Sequence, residues 1–302
     1  MKAVRIHQYG DVDQLVIEDT PDPQPGAGEI LVGQVASSVN PVDWKVLSGA
    51  YQHFMPLAMP GILGRDVAGT VKQLGAGVTR FKIGDPVIAV GRETWAELVV
   101  GKADAFARVP EGLDLTEAAA LPLVTLTGVQ LIEEGVGIKQ GQRILITGAL
   151  GSVGRSAVYA AQRAGAEVTA GVRAREFEAA AELKADALLA LDQESTYGQA
   201  GRFDAIADTI GPEISAKLLG LVKAGGMLVT VTEPPSNAAQ FPQVKVSGFQ
   251  SHADGRRLSE IAEDVLNRKL NIPIASRFPL TKARDAVATA RKGAGGKVLL
   301  LI

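Results

Sequence analysis

The sequence predicts an α/β fold: a doubly wound parallel sheet joined to a β-rich, barrel-like part. Three observations predict it. Residues 143–171, RILITGALGSVGRSAVYAAQRAGAEVTAG, read as strand, glycine-rich turn, helix and second strand. Strands and helices go on alternating from there to about residue 231. Residues 1–118, by contrast, hold many short strands punctuated by Gly and Pro, and the final thirty or so residues resemble them.

Taken in order, residues 2–6 alternate apolar and polar, and 15–17 form a short strand before the Pro-rich connector 20–26. Strands follow at 29–36, at 67–74 (ending in the turn Gly75-Ala76-Gly77), at 85–90 and at 95–100. From about residue 112 the period changes. Asp114-Leu-Thr-Glu117 has the form of a helix start, and 118–133 is helix-compatible but interrupted near Pro122. The alternating run then reads strand 143–147, helix 151–164, strand 167–172, helix 175–184, strands 187–191 and 203–209, helix 212–222 and strand 226–231. Residues 245–249 can add a strand, and 258–270 form an amphipathic helix ended by Pro273. The tail reads strand 276–278, a helix 282–291 capped by Thr281, and strand 297–302. The expected division is therefore 1–118 with 272–302 as one domain and 119–271 as the other. A ligand crevice is expected between them.

A chain of 302 residues suffices for two domains. With 46% hydrophobic and 21% charged residues and a net charge of −2, nothing electrostatic points to nucleic acid as a partner. The absence of cysteine excludes disulfides, a thiolate metal site and a cysteine nucleophile. The start, MKAVRIHQYGD, lacks the apolar region of a leader. The most apolar long stretch, 118–132, is broken by Pro122, two threonines, Gly128 and Gln130, and falls short of a membrane span. The expectation is a cytoplasmic protein.

The chemistry starts at Gly148-x-x-Gly151-x-x-Gly154. The spacing departs from the strict G-x-G-x-x-G pattern. The glycines nevertheless follow a strand and open a helix, the context that places a pyrophosphate on a helix N-terminus. Gly148 permits the tight turn, Gly151 close approach of the phosphate and Gly154 close helix–strand packing, with Leu150, Ser152 and Val153 between them. An NAD site usually has Asp or Glu at the end of the second strand to bond the ribose hydroxyls. Here Gly171-Val172-Arg173-Ala174-Arg175 stands instead. A guanidinium can neutralise a 2′-phosphate, so NADPH is the expected cofactor, with Arg173 ahead of Arg175. The alternative is that both arginines are solvated helix-start residues.

Further motifs run through the chain: Asn40-Pro-Val-Asp-Trp-Lys45, Gly64-Arg-Asp-Val-Ala-Gly69, Phe81-Lys-Ile-Gly-Asp-Pro-Val87, Leu121-Pro-Leu-Val-Thr-Leu-Thr-Gly128, the Gly148 loop, Asp208-Thr-Ile-Gly211 and Gly296-Lys-Val-Leu299. In this order they resemble the zinc-free quinone oxidoreductase branch of the medium-chain dehydrogenase/reductase superfamily. The first is most like its plant and bacterial enone/quinone reductases. The resemblance implies a Rossmann domain, 119–271, beside a GroES-like β-barrel domain. Zinc-dependent relatives carry G-H-E-x-x-G-x-V where this chain has Arg65 and Asp66, and they use cysteine ligands. The three histidines, His7, His53 and His252, match no ligand spacing. No metal is expected. The acceptor should then be electrophilic enough to take hydride directly: a quinone, or an α,β-unsaturated ketone or aldehyde.

The resemblance also implies roles. Asn40 falls at the family's position facing nicotinamide and substrate, though an Asn-Pro turn is the plain alternative. Lys45 can stabilise a developing oxyanion or simply be solvated. Tyr51 can donate a proton to the acceptor, stack on it, or only pack. Thr127, with Leu123 and Val124 on the same wall, corresponds to a contact at the nicotinamide end. Asp208 lies at a strand C-terminus, the rim where ligands bind. Val231 and the stretch Phe249-Gln250-Ser251 occupy the family's places for the carboxamide. Lys297 matches a segment that reaches a cofactor phosphate in some members, or is a surface lysine.

The implied mechanism is direct hydride transfer from NADPH to a quinone; the neighbouring activity is double-bond reduction of an enone or alkenal. A third reading, from another class, is a non-catalytic crystallin-like or RNA-binding protein with NADPH as a structural ligand; the net charge of −2 disfavours RNA. No Ser/His/Asp hydrolase arrangement is apparent. A homodimer is expected by analogy with the branch, with Met227–Val231 as its apolar edge strand.

Overall fold

The computed structural model describes residues 1–302. It divides into two units, residues 1–123 with 253–302 and residues 124–252. The break falls a few residues after the expected 118/119. At the other end it precedes the amphipathic helix instead of following it, so that helix lies in the first unit.

The first unit opens with β1 (Lys2–Ile6), β2 (Val16–Asp19), β3 (Glu29–Val39), α1 (Pro41–Leu47), β4 (Gly61–Ile62), β5 (Asp66–Leu74), β6 (Pro86–Val90), β7 (Leu98–Lys102), β8 (Phe106–Arg108) and α2 (Leu115–Ala118). The eleven residues of β3 organise it. Register shifts at Leu31/Val32 and Gln34/Ala36 bend this strand against β5, as bulges do. Its first half also pairs with β7. A helix at Pro41–Leu47 was not expected, yet its cause is local. Pro41 takes a first-turn position, and the Asp43 carboxylate accepts from the Asn40 N–H at 2.7 Å, the acidic half of a capping box.

The second unit contains α3 (Pro122–Gln130) from Val124 onward, then β9 (Arg143–Thr147), α4 (Ser152–Arg163), β10 (Glu167–Val172), α5 (Phe177–Ala180), β11 (Ala187–Ala190), β12 (Phe203–Asp208), α6 (Pro212–Leu218), β13 (Val222–Thr230) and β14 (Lys245–Gly248). Its six strands are parallel in the order β11-β10-β9-β12-β13-β14, the doubly wound dinucleotide-binding order. Leu145, Phe203, Ile206, Leu218 and Leu228 fill its core. The long helices expected at 175–184 and 212–222 are shorter, broken into 3₁₀ turns at 181–183 and 219–221. Beyond Gln130, α3 widens into π turns over Leu131–Val136. The expected edge strand is corrected: β13, which contains Met227–Thr230, is paired with β12 on one side and β14 on the other. The edge on that side is β14, the strand expected at 245–249.

The chain then returns to the first unit with α7 (Gly255–Leu266), β15 (Ile274–Pro279), α8 (Ala283–Arg291) and β16 (Lys297–Leu301). β16 pairs antiparallel with the end of β3, Val298 opposite Val39. The sheet order is β15-β16-β3-β5-β6-β8, with a separate β2-β1-β4 sheet beside it. The doubly wound sheet and the β-rich domain closed by the C-terminus are thus both present. No helix is long and apolar enough to cross a membrane.

Candidate functional site

In the second unit the chain leaves β9 through Gly148 at φ +61°, a backbone that favours glycine. Gly151 stands at the N-cap of α4, and no side chain caps the helix. The first-turn N–H groups of an α-helix have no intrahelical acceptor, so this end is left for an anion. Gly154 lies so close to the loop that a Cβ there would be 2.1 Å from the Gly148 carbonyl oxygen. Behind it, Gly128 of α3 lets the helices meet: a Cβ there would be 2.3 Å from the Val153 carbonyl oxygen. Leu150 uses its carbonyl to accept from Arg155 Nε at 2.9 Å, and the Ser152 carbonyl accepts from Ser156 Oγ at 2.9 Å. A glycine-lined loop with this uncapped helix start fits a pyrophosphate.

Arg173 and Arg175 follow β10 and both are exposed. The Arg173 side chain is 61% accessible, with one guanidinium nitrogen 3.5 Å from Glu176. Two acids that the sequence reading passed over lie beside this turn. Glu176 accepts from the Arg173 N–H at 3.0 Å, and Asp192 accepts from the Ala174 N–H at 2.8 Å. Both hold the turn's shape.

At the C-terminal rim of the sheet, Asp208 is fully buried and its oxygens are engaged. Thr147 Oγ1 donates to it at 2.7 Å, Thr230 Oγ1 at 2.7 Å and the Ile210 N–H at 3.2 Å. Asp208 therefore ties the ends of β9, β12 and β13 together, and its carboxylate is committed to that joint. The Val231 N–H donates to the Asp208 carbonyl at 3.1 Å, and the Phe249 N–H to the Thr230 carbonyl at 2.7 Å. The segment after β14 is strapped along α3 and its π turns. Phe249 packs at Gly135, where a Cβ would lie 2.9 Å from the ring. Thr127 Oγ1 lies 2.8 Å from Ser251 Oγ. The buried Gln130 side chain donates to the His252 carbonyl at 3.1 Å and accepts from its N–H at 3.0 Å. Gln250 stays exposed on the strap. Gln130 was missed: nothing local marks a buried glutamine as the clamp of a segment 122 residues away.

In the first unit the polar residues separate into two groups. The inner group is buried around Asp66. Ser38 Oγ donates to Asp66 Oδ2, Asn40 Nδ2 donates to the same oxygen at 2.7 Å, and the Leu123 N–H donates to Oδ1 at 2.7 Å. Lys297 Nζ donates to Asn40 Oδ1 at 2.6 Å and the Val39 carbonyl at 3.2 Å, and sits 3.5 Å from Asp66. Lys297 is only 5% exposed, so it is no surface lysine, and burial draws its ammonium's pKa down. Both ends of the Asn40 amide are used inside this group. Asn40 holds Asp66 and Lys297 in register, a role the motif did not announce. Arg65 donates to the Gly91 carbonyl at 2.8 Å. An arginine and a carboxylate already paired with an ammonium make a poor donor set for a metal. No group of three His, Asp or Glu side chains comes together elsewhere in the chain.

Asp43, also buried, accepts from the Asn40 N–H at 2.7 Å. Burial pushes its carboxyl up to about 7; the Asn40 N–H opposes the rise and the Asp66 charge adds to it. The folded chain then holds a proton that the unfolded chain releases near its ordinary value of about 4. Stability should fall as pH rises from about 4 to about 7 and level off above, by about 4 kcal/mol at most. In Asp43→Asn that slope should vanish. Thermal melts of the two proteins from pH 5 to 8 should show the parent losing roughly 5 °C relative to the variant. Parallel melting curves would contradict the assignment.

The outer group lies at the end of α1 and in the stretch after it. Lys45 Nζ donates to Tyr51 Oη at 3.1 Å, and both residues are half-buried. Tyr51 meets Phe54 edge to face, ring centres 6.4 Å apart, and Phe54 is 69% exposed. Of the three catalytic candidates, the structure brings Lys45 and Tyr51 into contact and assigns Asn40 to the inner group.

The chain is similar to known proteins along its length. Residues 26–111 match the alcohol dehydrogenase GroES-like domain, and residues 183–300 match the zinc-binding dehydrogenase family. The chain is 32% identical to a chloroplast envelope quinone oxidoreductase homolog of Arabidopsis thaliana, over 99% of this chain and 98% of the relative. It is 30% identical to a 2-methylene-furan-3-one reductase of Solanum lycopersicum, over 99% of this chain and 79% of that one. Among solved structures, the quinone oxidoreductase of Coxiella burnetii superimposes with a TM-score of 0.87 at 26% identity, covering 100% of this chain and 99% of the other.

Proposed function

The chain belongs to the quinone oxidoreductase branch of the medium-chain dehydrogenase/reductase superfamily, and on that premise we propose that it is an NADPH-dependent quinone reductase working without a metal. The observation that carries the reading is the uncapped, glycine-lined start of α4, followed after the next strand by two exposed arginines where an NAD site would place an acid. The loop from Gly148 to Gly154 holds the pyrophosphate on backbone N–H groups. Arg173 and Arg175 pair with the 2′-phosphate. Thr127, Val231 and the strap through Phe249 and Gln250 hold the carboxamide end. When bound, the cofactor supplies the hydride from its nicotinamide C4.

The acceptor's oxygen gains negative charge as hydride arrives. Lys45 and Tyr51 answer that charge. Because Lys45 donates to the phenol oxygen, the phenol proton is left for the acceptor, and an ammonium stands beside the charge Tyr51 then carries. Hydride plus this proton makes the quinol. Tyr51→Phe and Lys45→Met should each lower kcat about 10- to 100-fold with the NADPH Kd unchanged, as read by NADPH consumption and fluorescence titration. Unaltered kcat in both would remove the pair from the chemistry.

The same donors serve an enone, and similarity to the furanone reductase favours double-bond reduction as the second reading. NADPH oxidation with 1,4-benzoquinone beside a short alkenal decides. Faster turnover of the quinone supports the proposal, faster turnover of the alkenal supports the second reading, and tight NADPH binding with no oxidation by either points to a non-catalytic protein.

A further inference from the structure

We infer that Arg155 is a positioning residue that sets the reach between the two phosphate-holding parts of the second unit, and so the preference for a 2′-phosphorylated nucleotide. The inference rests on the reading of that unit as an NADPH site. Arg155 follows Gly154 in the first turn of α4 and is 8% exposed. A buried cation at the positive end of a helix is unfavourable unless negative charge is near. Two acceptors take the guanidinium: Nε donates to the Leu150 carbonyl at 2.9 Å, inside the glycine loop, and Nη2 donates to Glu182 at 2.5 Å. Glu182 lies in the turn that ends the segment begun by Arg173 and Arg175. One rigid, planar group thus spans from the pyrophosphate loop to the stretch that carries the two exposed arginines.

The same turn has a second tether to α4 that does not touch the loop. Gln162 Nε2 donates to the Leu183 and Lys184 carbonyls at 3.0 and 2.9 Å, two turns further along the helix. Losing Gln162 loosens the turn. Losing Arg155 also uncouples it from the loop. That difference separates a positioning role from a merely structural one.

The test is a calorimetric titration of the full chain with 2′-phospho-ADP-ribose and with ADP-ribose, for the parent, Arg155→Gln, Arg155→Lys, Glu182→Gln and Gln162→Ala. The parent should bind the 2′-phosphorylated ligand more tightly; no preference there would overturn the NADPH reading itself. Given that preference, Arg155→Gln should weaken 2′-phospho-ADP-ribose about tenfold and ADP-ribose by less than about threefold. Glu182→Gln, on a half-exposed side chain, should act in the same direction should Arg155→Gln fail to fold, and Arg155→Lys should recover part of the loss. Gln162→Ala should lower the melting temperature and leave the ratio of the two affinities unchanged. Equal weakening of both ligands in Arg155→Gln and Glu182→Gln, no weakening in either, or the same altered ratio in Gln162→Ala would overturn the inference.

Discussion

Gly154→Ala is expected to abolish useful dinucleotide binding. The added methyl would stand 2.1 Å from the Gly148 carbonyl oxygen and 2.7 Å from Ala149 Cα. Both are backbone, in a turn held by the Gly151 N–H bond to the Gly148 carbonyl at 2.8 Å. No side chain can rotate away to make room. Either the start of α4 lifts off the loop or the loop unwinds, and each displaces the N–H groups that hold the phosphates. The NADPH Kd should rise at least about 100-fold, about 3 kcal/mol, and overpacking should cost roughly 1–3 kcal/mol of stability. Gly151→Ala is the contrast: its methyl would lie 3.1 Å from the same oxygen at an exposed position with ordinary φ, so the fold should tolerate it better. Fluorescence titration with NADPH beside thermal melts reads both effects. An unchanged Kd in Gly154→Ala would mean that this turn does not hold the cofactor.

The second large effect is expected at the buried ion pair. Lys297→Met removes the ammonium and leaves Asp66, fully buried, with Ser38, Asn40 and the Leu123 N–H but without its countercharge. It also strands Asn40 Oδ1 and the Val39 carbonyl, both of which Lys297 serves. Breaking one side of such a pair typically costs 3–5 kcal/mol, while replacing both sides with apolar groups of like volume costs much less. Lys297→Met alone should therefore unfold at markedly lower denaturant, and Asp66→Leu with Lys297→Met should recover part of the loss. Double-mutant denaturation curves measure the coupling. Strict additivity of the two single effects would show that the pair is not a unit. Because Asn40 touches both partners, the first-unit framework that carries α1, and with it Lys45, should loosen in the single variant.

What was legible in the sequence follows from how local its causes are. The β9–α4–β10 unit is written in one continuous stretch: apolar strands, glycines where a turn and a close approach require them, alanines on the buried face of a helix. The doubly wound order and the return of the C-terminus to the first unit followed from period and alternation. The start of α1 was also there to read, since Pro41 and Asp43 carry its signals, but the same stretch reads as a family motif or an Asn-Pro turn. Other features depend on residues far apart. Lys297 meets Asp66 only because β16 returns beside β3, and no spacing in the chain announces that. Asp208 and Gln130 look like site residues or helix filler by position, and only the strands and strap around them show that they are joints. β14 was legible as a strand at 245–249 but not as an edge, because no local signal gives the order of strands in a sheet. The candidate site is therefore legible where it is proposed on glycines and on the Arg173-Ala-Arg175 turn, and illegible where buried polar contacts join distant segments.

The proposed reaction takes a hydride from NADPH and passes it to a quinone. The most direct measurement is steady-state kcat/KM with 1,4-benzoquinone, NADPH run beside NADH on the same preparation. The expected result is quinone-dependent oxidation of NADPH with kcat/KM at least about tenfold above that for NADH, from the paired charge of Arg173 and Arg175 on the 2′-phosphate. Equal values for the two cofactors, a preference for NADH, or no quinone-dependent oxidation of either would contradict it.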